Sequence, residues 1–259
     1  MRKAIILAAG LGNRLRPFTD EAPKCLVQLI GKSLLERQLA VLESCGIDDV
    51  LVVGGYKAEK IEALGHTLVL NKEFETTNMV WSLFEAKDHF GERGDLIIGY
   101  GDIVYEKRVL EALLACTDDI GLVSDLGWRT YWEQRTQNPL DDVESFRVSD
   151  DGYVGELGQK PESRDEIQGQ FTGLIKIRAG RIPELFEVYS EMDKTGIYDG
   201  QPFEKMYMTS FIQHLIDLNW RVKAVPVTHG WLELDTVDDL TLYENLDAQG
   251  RLDALCRLS

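Results

Sequence analysis

A cationic, glycine-bearing loop stands almost at the start of the chain. Leu7-Ala8-Ala9-Gly10-Leu11-Gly12-Asn13-Arg14-Leu15 is followed after a short gap by Pro23-Lys24. Glycines let backbone N–H groups approach an anion with no Cβ in the way, and Arg14 and Lys24 add the positive charge that a polyphosphate requires. The chemistry these residues can do is nucleotide binding. The bland alternative is a tight turn at Gly10 and Gly12 with Arg14 merely solvated. Lys24 reinforces the charge and the loop directly follows an apolar run, so phosphate binding is the stronger reading. The pattern Gly-x-Gly-x-Arg lacks the third glycine of the dinucleotide fingerprint, and Val53, at the end of the second apolar run, is not the acidic residue that would hold an adenosine ribose. No Gly-x-x-x-x-Gly-Lys-Ser/Thr stretch is present. NAD, FAD and P-loop chemistry are therefore disfavoured.

Asp102 and Asp235 are the metal candidates. Leu96-Ile97-Ile98 runs into Gly99-Tyr100-Gly101-Asp102, which puts an acidic side chain just beyond the carboxyl end of a buried strand, where open α/β sheets place their chemistry. Trp231 to Leu234 leads into Asp235 in the same way. Magnesium takes one or two protein carboxylates together with phosphates and water, so two aspartates suffice. Either residue has another use: Asp102 as a turn residue, Asp235 as the cap of the next helix. Thr236 with Asp239 competes for that cap.

These residues need a scaffold, and the chain supplies strands alternating with helices. Lys3 to Leu7, Val50 to Val53, Thr67 to Leu70, Leu96 to Ile98, Ile120 to Val123, Phe171 to Ile177 and Val222 to Pro226 read as strands. Between them the spacing predicts helices over 33–45, with a Ser33/Glu36 capping box and a Gly46 stop, and over 57–64, 78–90, 109–115, 183–192, 203–218 and 236–248. Residues 125–170 are more polar; short strands at Phe146 to Val148 and Tyr153 to Leu157 flank the Asp151-Gly152 turn signal. The expected fold is α/β: a Rossmann-like, doubly wound, mostly parallel sheet with an inserted antiparallel hairpin region. Residues 1–259 read as one domain, 1–124 being the nucleotide-binding half and 125–259 the acceptor-binding half.

Bulk properties narrow the partners. With 44 acidic against 28 basic residues the net charge is -16, which disfavours nucleic acid and anionic membranes, while a local cationic loop still permits a free nucleotide. Cys25, Cys45, Cys116 and Cys256 form no C-x-x-C pair, so neither a zinc site nor a disulfide framework is indicated. No stretch has the form of a signal peptide or membrane span, and a cytoplasmic location is expected. Homo-oligomer formation is left open.

Leu7 to Thr19 followed by Pro23 to Val27 resembles the signature of the sugar-phosphate nucleotidyltransferase superfamily, with Asp102 and Asp235 where that family carries its two magnesium-binding aspartates. Thr76 to Leu83, Asn138-Pro139-Leu140, Gly169 to Lys176 and Gly230 to Asp235 are similar to the cytidylyltransferases of small phosphoryl compounds, those for phosphocholine, phosphonates or phosphoglutamine. The resemblance runs through nearly the whole chain. It implies a magnesium-dependent reaction in which a phosphate or phosphonate oxygen of a small acceptor attacks the α-phosphorus of CTP and pyrophosphate leaves. It further implies that Arg14, Lys24 and Lys160 act on the phosphoryl groups, and that Leu7, Ala8, Ala9, Gly10, Gly12, Asn78, Ser82 and Gly101 contact the nucleotide. Tyr131, Lys160, Thr172, Gly173 and Trp231 would contact the acceptor, and Asp102 and Asp235 the magnesium ion. Two departures argue against a hexose phosphate: Gln159-Lys160-Pro161 replaces the Glu-Lys-Pro of many sugar pockets, and bulky Met79-Val80-Trp81 replaces a glycine-alanine helix.

The alternatives are a sugar-1-phosphate uridylyl- or thymidylyltransferase and a non-catalytic nucleotide-binding regulatory module. For the acceptor, Trp128, Tyr131, Trp132 and Trp231 suit either an aromatic cage for a quaternary ammonium or, as the commoner use of such residues, core packing. Arg129, Arg135 and Lys176 suit a carboxylate or a solvated face.

Overall fold

Apolar runs buried on both sides build the centre of the molecule. In the computed structural model, which describes residues 2–91, 94–136 and 138–258, β1 (Lys3–Ala8) sends Ala4 and Ile6 into one hydrophobic cluster and Ile5 and Leu7 into another. Alternate side chains point to opposite faces of a strand, so a strand apolar at every position must be covered twice. The same division recurs in β2 (Asp49–Gly54), where Val52 faces one cluster and Leu51 and Val53 the other.

Five further strands complete the sheet: β3 (Thr67–Leu70), β4 (Leu96–Tyr100), β5 (Ile120–Asp125), β6 (Gln170–Ile177) and β7 (Val222–Val227). Their spatial order is β7-β5-β6-β4-β1-β2-β3. All neighbouring pairs are parallel except those of β6, which runs antiparallel to both β4 and β5. The chain goes from β1 to β2 on one side and later returns to β4 on the other, which opens a crevice at the carboxyl ends of β1 and β4. Because β6 is reversed, with Leu174 paired to Gly99, its first residues arrive at that same edge.

Helices α1 (Leu34–Ser44), α4 (Lys107–Ala115), α5 (Trp128–Arg135) and α8 (Val237–Ala248) contribute to the first cluster. Helices α3 (Met79–Glu85), α6 (Ile182–Glu191) and α7 (Met208–Asp217) contribute to the second, and α2 (Glu59–Glu62) is a single turn that buries Ile61. The Ser33/Glu36 capping box is formed. The hairpin Phe146–Val148 with Val154–Leu157 is antiparallel as expected, so the doubly wound architecture with its inserted hairpin matches the sequence reading.

Several boundaries differ. The helix expected over 57–64 shrinks to one turn because Lys57 adopts a left-handed conformation, φ 49°. The helix over 78–90 stops at Glu85 and tightens into a 3₁₀ turn at Lys87–His89, after which Phe90 enters the core. The long helix over 203–218 is split. Phe203–Lys205 is a 3₁₀ turn, Met206 and Tyr207 are extended, and the α-helix begins at Met208. The extended pair buries Met206 while Tyr207 faces a cavity. Helix α5 and the strand Ile103–Tyr105 were not anticipated. Among the described residues no helix is long and apolar enough to cross a membrane.

Candidate active site

The glycine loop leaves β1 at Ala8 and folds back on itself. Gly12 is left-handed, φ 63°, and a Cβ there would lie 3.0 Å from Thr19 Cγ2 and 3.2 Å from Lys24 Cβ. Thr19 Oγ1 donates to the Gly12 carbonyl at 2.8 Å, so the loop closes over Thr19 and returns Lys24 beneath its own start. Gly101 allows the second close approach. Its N–H donates to the Leu7 carbonyl at 2.8 Å, and a Cβ would sit 2.7 Å from that oxygen. Any side chain at Gly101 would push the exit of β4 away from β1.

Asp102 and Asp235 are brought together by a ribbon. Ile103–Tyr105 pairs antiparallel with Trp231–Glu233, and Leu234 N–H donates to the Asp102 carbonyl at 2.9 Å. Each aspartate therefore lies at the same end of the ribbon. Between them stands Lys24, whose Nζ donates to Asp102 Oδ2 at 2.8 Å and to Asp235 Oδ1 at 2.6 Å. Arg14 Nη2 meets the other Asp235 oxygen at 2.5 Å from the open side. Burial works to lower the Lys24 pKa, and the two facing carboxylates outweigh it, holding the ammonium well above its ordinary range. Lys24 stays charged.

Asp102 Oδ1 is buried with no hydrogen-bond partner. An orphaned carboxylate oxygen beside a second converging carboxylate fits a hard divalent cation that completes its shell with phosphates and water. Among the described residues no cluster of three or more His, Cys, Asp or Glu could hold a metal by itself, so substrate oxygens would have to share such an ion.

The Asp235 loop has its own brace. The cap of α8 is Thr236, whose side chain accepts from Asp239 N–H, while Asp239 Oδ2 accepts from the N–H groups of Asp235 and Thr236. The competing use of Asp235 as a helix cap is thus taken by its neighbour, and the Asp235 carboxylate is free to face Lys24. Arg135, 5% exposed, donates to both Asp239 oxygens at 2.8 and 3.1 Å and to Glu233 Oε2 at 2.8 Å. Tyr131 lies beside it. Its hydroxyl accepts from Glu233 N–H at 2.9 Å and is 2.5 Å from the Tyr243 hydroxyl. Arg135 and Tyr131 hold the ribbon and the helix start from behind.

Two cavities open on this centre. The first, about 300 Å³, is lined by Leu7, Ala8, Ala9, Gly10, Gly12, Asn78, Ser82 and Gly101 together with Arg14, Lys24, Asp102 and Asp235. The second, about 200 Å³, is lined by Thr172, Gly173 and Trp231 among others. Arg14, Met79, Tyr100 and Asp235 line both. Asn78 also caps α3, its side chain accepting from Met79 N–H, and Ser82 Oγ accepts from Asn71 Nδ2. Gly173 is left-handed, φ 79°, and a Cβ there would strike the Tyr100 ring at 2.6 Å. It keeps the wall between the cavities in place.

Two of the expected acceptor residues are not at the cavity. Tyr131 is 1% exposed within the aromatic block formed with Trp132, Trp231 and Tyr243, and Lys160 lies exposed on the hairpin side. Lys176 pairs with Asp95 and the Leu114 and Cys116 carbonyls, away from the cleft. The second cavity contains instead Glu144, Gln170, Tyr207 and Glu233, which sequence reasoning had not assigned. Gln170 carried a faint signal, as a polar residue heading an apolar strand. Glu144 lies in an aperiodic polar stretch and carried none. Its carboxyl is pushed up to about 7 by burial and by neighbouring Glu233, Asp142 and Asp199.

Residues 4–149 match the model of the MobA-like NTP transferase domain. Over 247 residues, 92% of this chain and 97% of the relative, the sequence is 38% identical to a CTP:phosphoglutamine cytidylyltransferase of Campylobacter jejuni. It is 44% identical over 90 residues, 33% of this chain and 39% of the relative, to a choline-phosphate cytidylyltransferase of Streptococcus pneumoniae. The fold matches the inositol-1-phosphate CTP transferase from T. maritima with a TM-score of 0.74, at 19% identity, over 99% of this chain and 98% of that one.

Proposed function

The chain belongs to the nucleotidyltransferases of the MobA-like NTP transferase domain family, and from that premise we propose that it is a cytidylyltransferase acting on CTP and a small phosphorylated or phosphonate acceptor. The observation that carries this reading is the meeting of two cavities at Arg14 and Asp235, beside Lys24 and Asp102. One cavity suits a nucleotide triphosphate and the other a smaller molecule, and the shared wall is where their phosphoryl groups would meet.

An acceptor oxygen attacks the α-phosphorus as the bond to the β-phosphate breaks, and pyrophosphate leaves with the electron pair. The acceptor dianion is already nucleophilic and no proton need be removed from it. Catalysis then consists of aligning two anions and neutralising charge. Arg14 reaches the junction from the solvent side and Lys24 from below, and both are donors to phosphoryl oxygen. Leu7 to Gly12 present backbone around the triphosphate, with Asn78, Ser82 and Gly101 along the rest of that cavity. A magnesium ion on Asp102 and Asp235 would supply the remaining charge compensation. Thr172, Gly173 and Trp231 border the acceptor, while Tyr131 supports them from behind. Residues 1–259 act as one catalytic domain in this reading.

The direct test is pyrophosphate release from CTP with magnesium and a panel of phosphocholine, 2-aminoethylphosphonate, 2-hydroxyethylphosphonate and phosphoglutamine. Release with at least one acceptor, lost on chelation, is expected. No release with any acceptor, or release only with UTP or dTTP and a hexose phosphate, would overturn the reading.

A further inference from the structure

The second cavity carries more negative charge than its surroundings compensate. Asp142, Glu144, Glu233 and Asp235 line it together with Arg14, which pairs with Asp235. Glu233 is answered by Arg135, and one Asp142 oxygen accepts from Trp132 Nε1 at 3.1 Å. Among the described residues nothing cationic pairs with Glu144, although it stands in a half-buried position. Side chains of Tyr100, Trp132, Phe171, Tyr207 and Trp231 also line it. A half-buried carboxylate among rings is a site that favours a cation.

A second feature specifies which kind of cation. Gln170, the first residue of β6, is 7% exposed, lines this cavity, and keeps its side-chain Oε1 buried with no hydrogen-bond partner. An unsatisfied buried acceptor is costly, and a ligand N–H relieves it. A quaternary ammonium has no N–H to give.

We propose that the cavity holds a protonated primary amine of the acceptor, with Glu144 as its counter-ion and Gln170 Oε1 as the acceptor of one N–H, and that this pair selects amine-bearing acceptors over quaternary and uncharged ones. The inference rests on the reading of the chain as a cytidylyltransferase and names the acceptor class for it. Discrimination arises because an uncharged analogue leaves Glu144 unpaired, and a trimethylated one leaves Gln170 unpaired.

The test is calorimetric binding of 2-aminoethylphosphonate, its N-trimethyl analogue and 2-hydroxyethylphosphonate to the full chain in the presence of magnesium and a non-hydrolysable CTP analogue. The primary amine is expected to bind roughly 10-fold or more tightly than either analogue. Glu144→Gln should erase the advantage over the hydroxyl compound, and Gln170→Met should erase the advantage over the trimethyl compound. Thermal melting of both variants controls for folding. Equal or tighter binding of either analogue to the unaltered chain, equal weakening of all three ligands in correctly folded variants, or no binding of the amine would overturn the proposal. Pyrophosphate release is measured separately. Amine-selective binding without release from CTP would sink the proposed reaction and leave the amine pocket standing.

Discussion

The two cavities that meet at Asp235 are built from opposite materials. Half the lining of the nucleotide side comes from one continuous stretch of chain, Leu7 to Cys25, whose glycines expose backbone and whose Arg14 and Lys24 both meet Asp235. The acceptor side is assembled from six separate segments between Tyr100 and Asp235, together with Arg14 and Met79, and it presents rings and carboxylates. One side balances its two cations against Asp102 and Asp235 and is shaped largely by backbone; the other is anionic and shaped by side chains. The difference teaches that a triphosphate, common to many reactions, is held by local geometry that a short motif can encode. A small acceptor is recognised by surfaces that only long-range packing can gather.

That contrast can be broken at several points. The largest effect is expected at the junction, where Asp102→Asn should lower kcat by about 5 kcal/mol of transition-state stabilisation, roughly 10⁴-fold, by disabling the carboxylate pair. Circular dichroism and the melting temperature should be unchanged. Persistence of turnover would exclude Asp102 from a metal site.

On the anionic side, Arg135→Met leaves buried Asp239 without its partner and should cost about 3–5 kcal/mol of stability. Denaturant melts measure it. A loss below about 1 kcal/mol would mean that Arg135 does not brace the Asp235 loop, as for an exposed pair.

On the nucleotide side, Lys24→Met should reduce kcat by about 10²–10³-fold, the scale of losing one preorganised donor to developing charge. The same variant leaves Asp102 and Asp235 facing each other without their shared cation. Its melting temperature should therefore rise on adding magnesium more than that of the unaltered chain.

The smallest effect sharpens the charge contrast through pH. Glu144 binds its proton more tightly in the folded chain than its ordinary value of 4.5 and titrates near 7. Between those values the unfolded chain has released the proton and the folded chain retains it, so this residue makes stability fall as pH rises through the window and adds no further slope above it. Glu144→Gln should flatten that portion of the stability profile. An unchanged profile would place Glu144 in contact with solvent.

How much of this was legible in the sequence differs element by element. Ser33 with Glu36 and Thr236 with Asp239 were readable as caps because the partners lie three residues apart, within one helical turn. The strand Ile103–Tyr105 was not, because three apolar residues carry no periodicity, and only pairing with Trp231–Glu233 makes them a strand. Helix α5 escaped for a related reason. It buries Trp128, Tyr131 and Trp132 on one side, and its remaining polar residues gave the segment the texture of a loop. Resemblance alone assigns Lys160 to the acceptor, and in the structure it is exposed and not among the residues lining the cavity.

The sequence by itself determined the glycine loop, the alternation of strands and helices, the inserted hairpin and the presence of two aspartates after buried strands. Each of these is a property of neighbouring residues, fixed by turn geometry, capping and side-chain period. Only the tertiary structure decided that Asp102 and Asp235, far apart in sequence, share Lys24, that Arg135 and Tyr131 work from behind, and that Glu144 and Gln170 face one cavity. Those meetings depend on the reversed β6 and on the ribbon beside Asp102, and hydrogen-bonded pairing between distant strands leaves no trace in the local spacing of either partner.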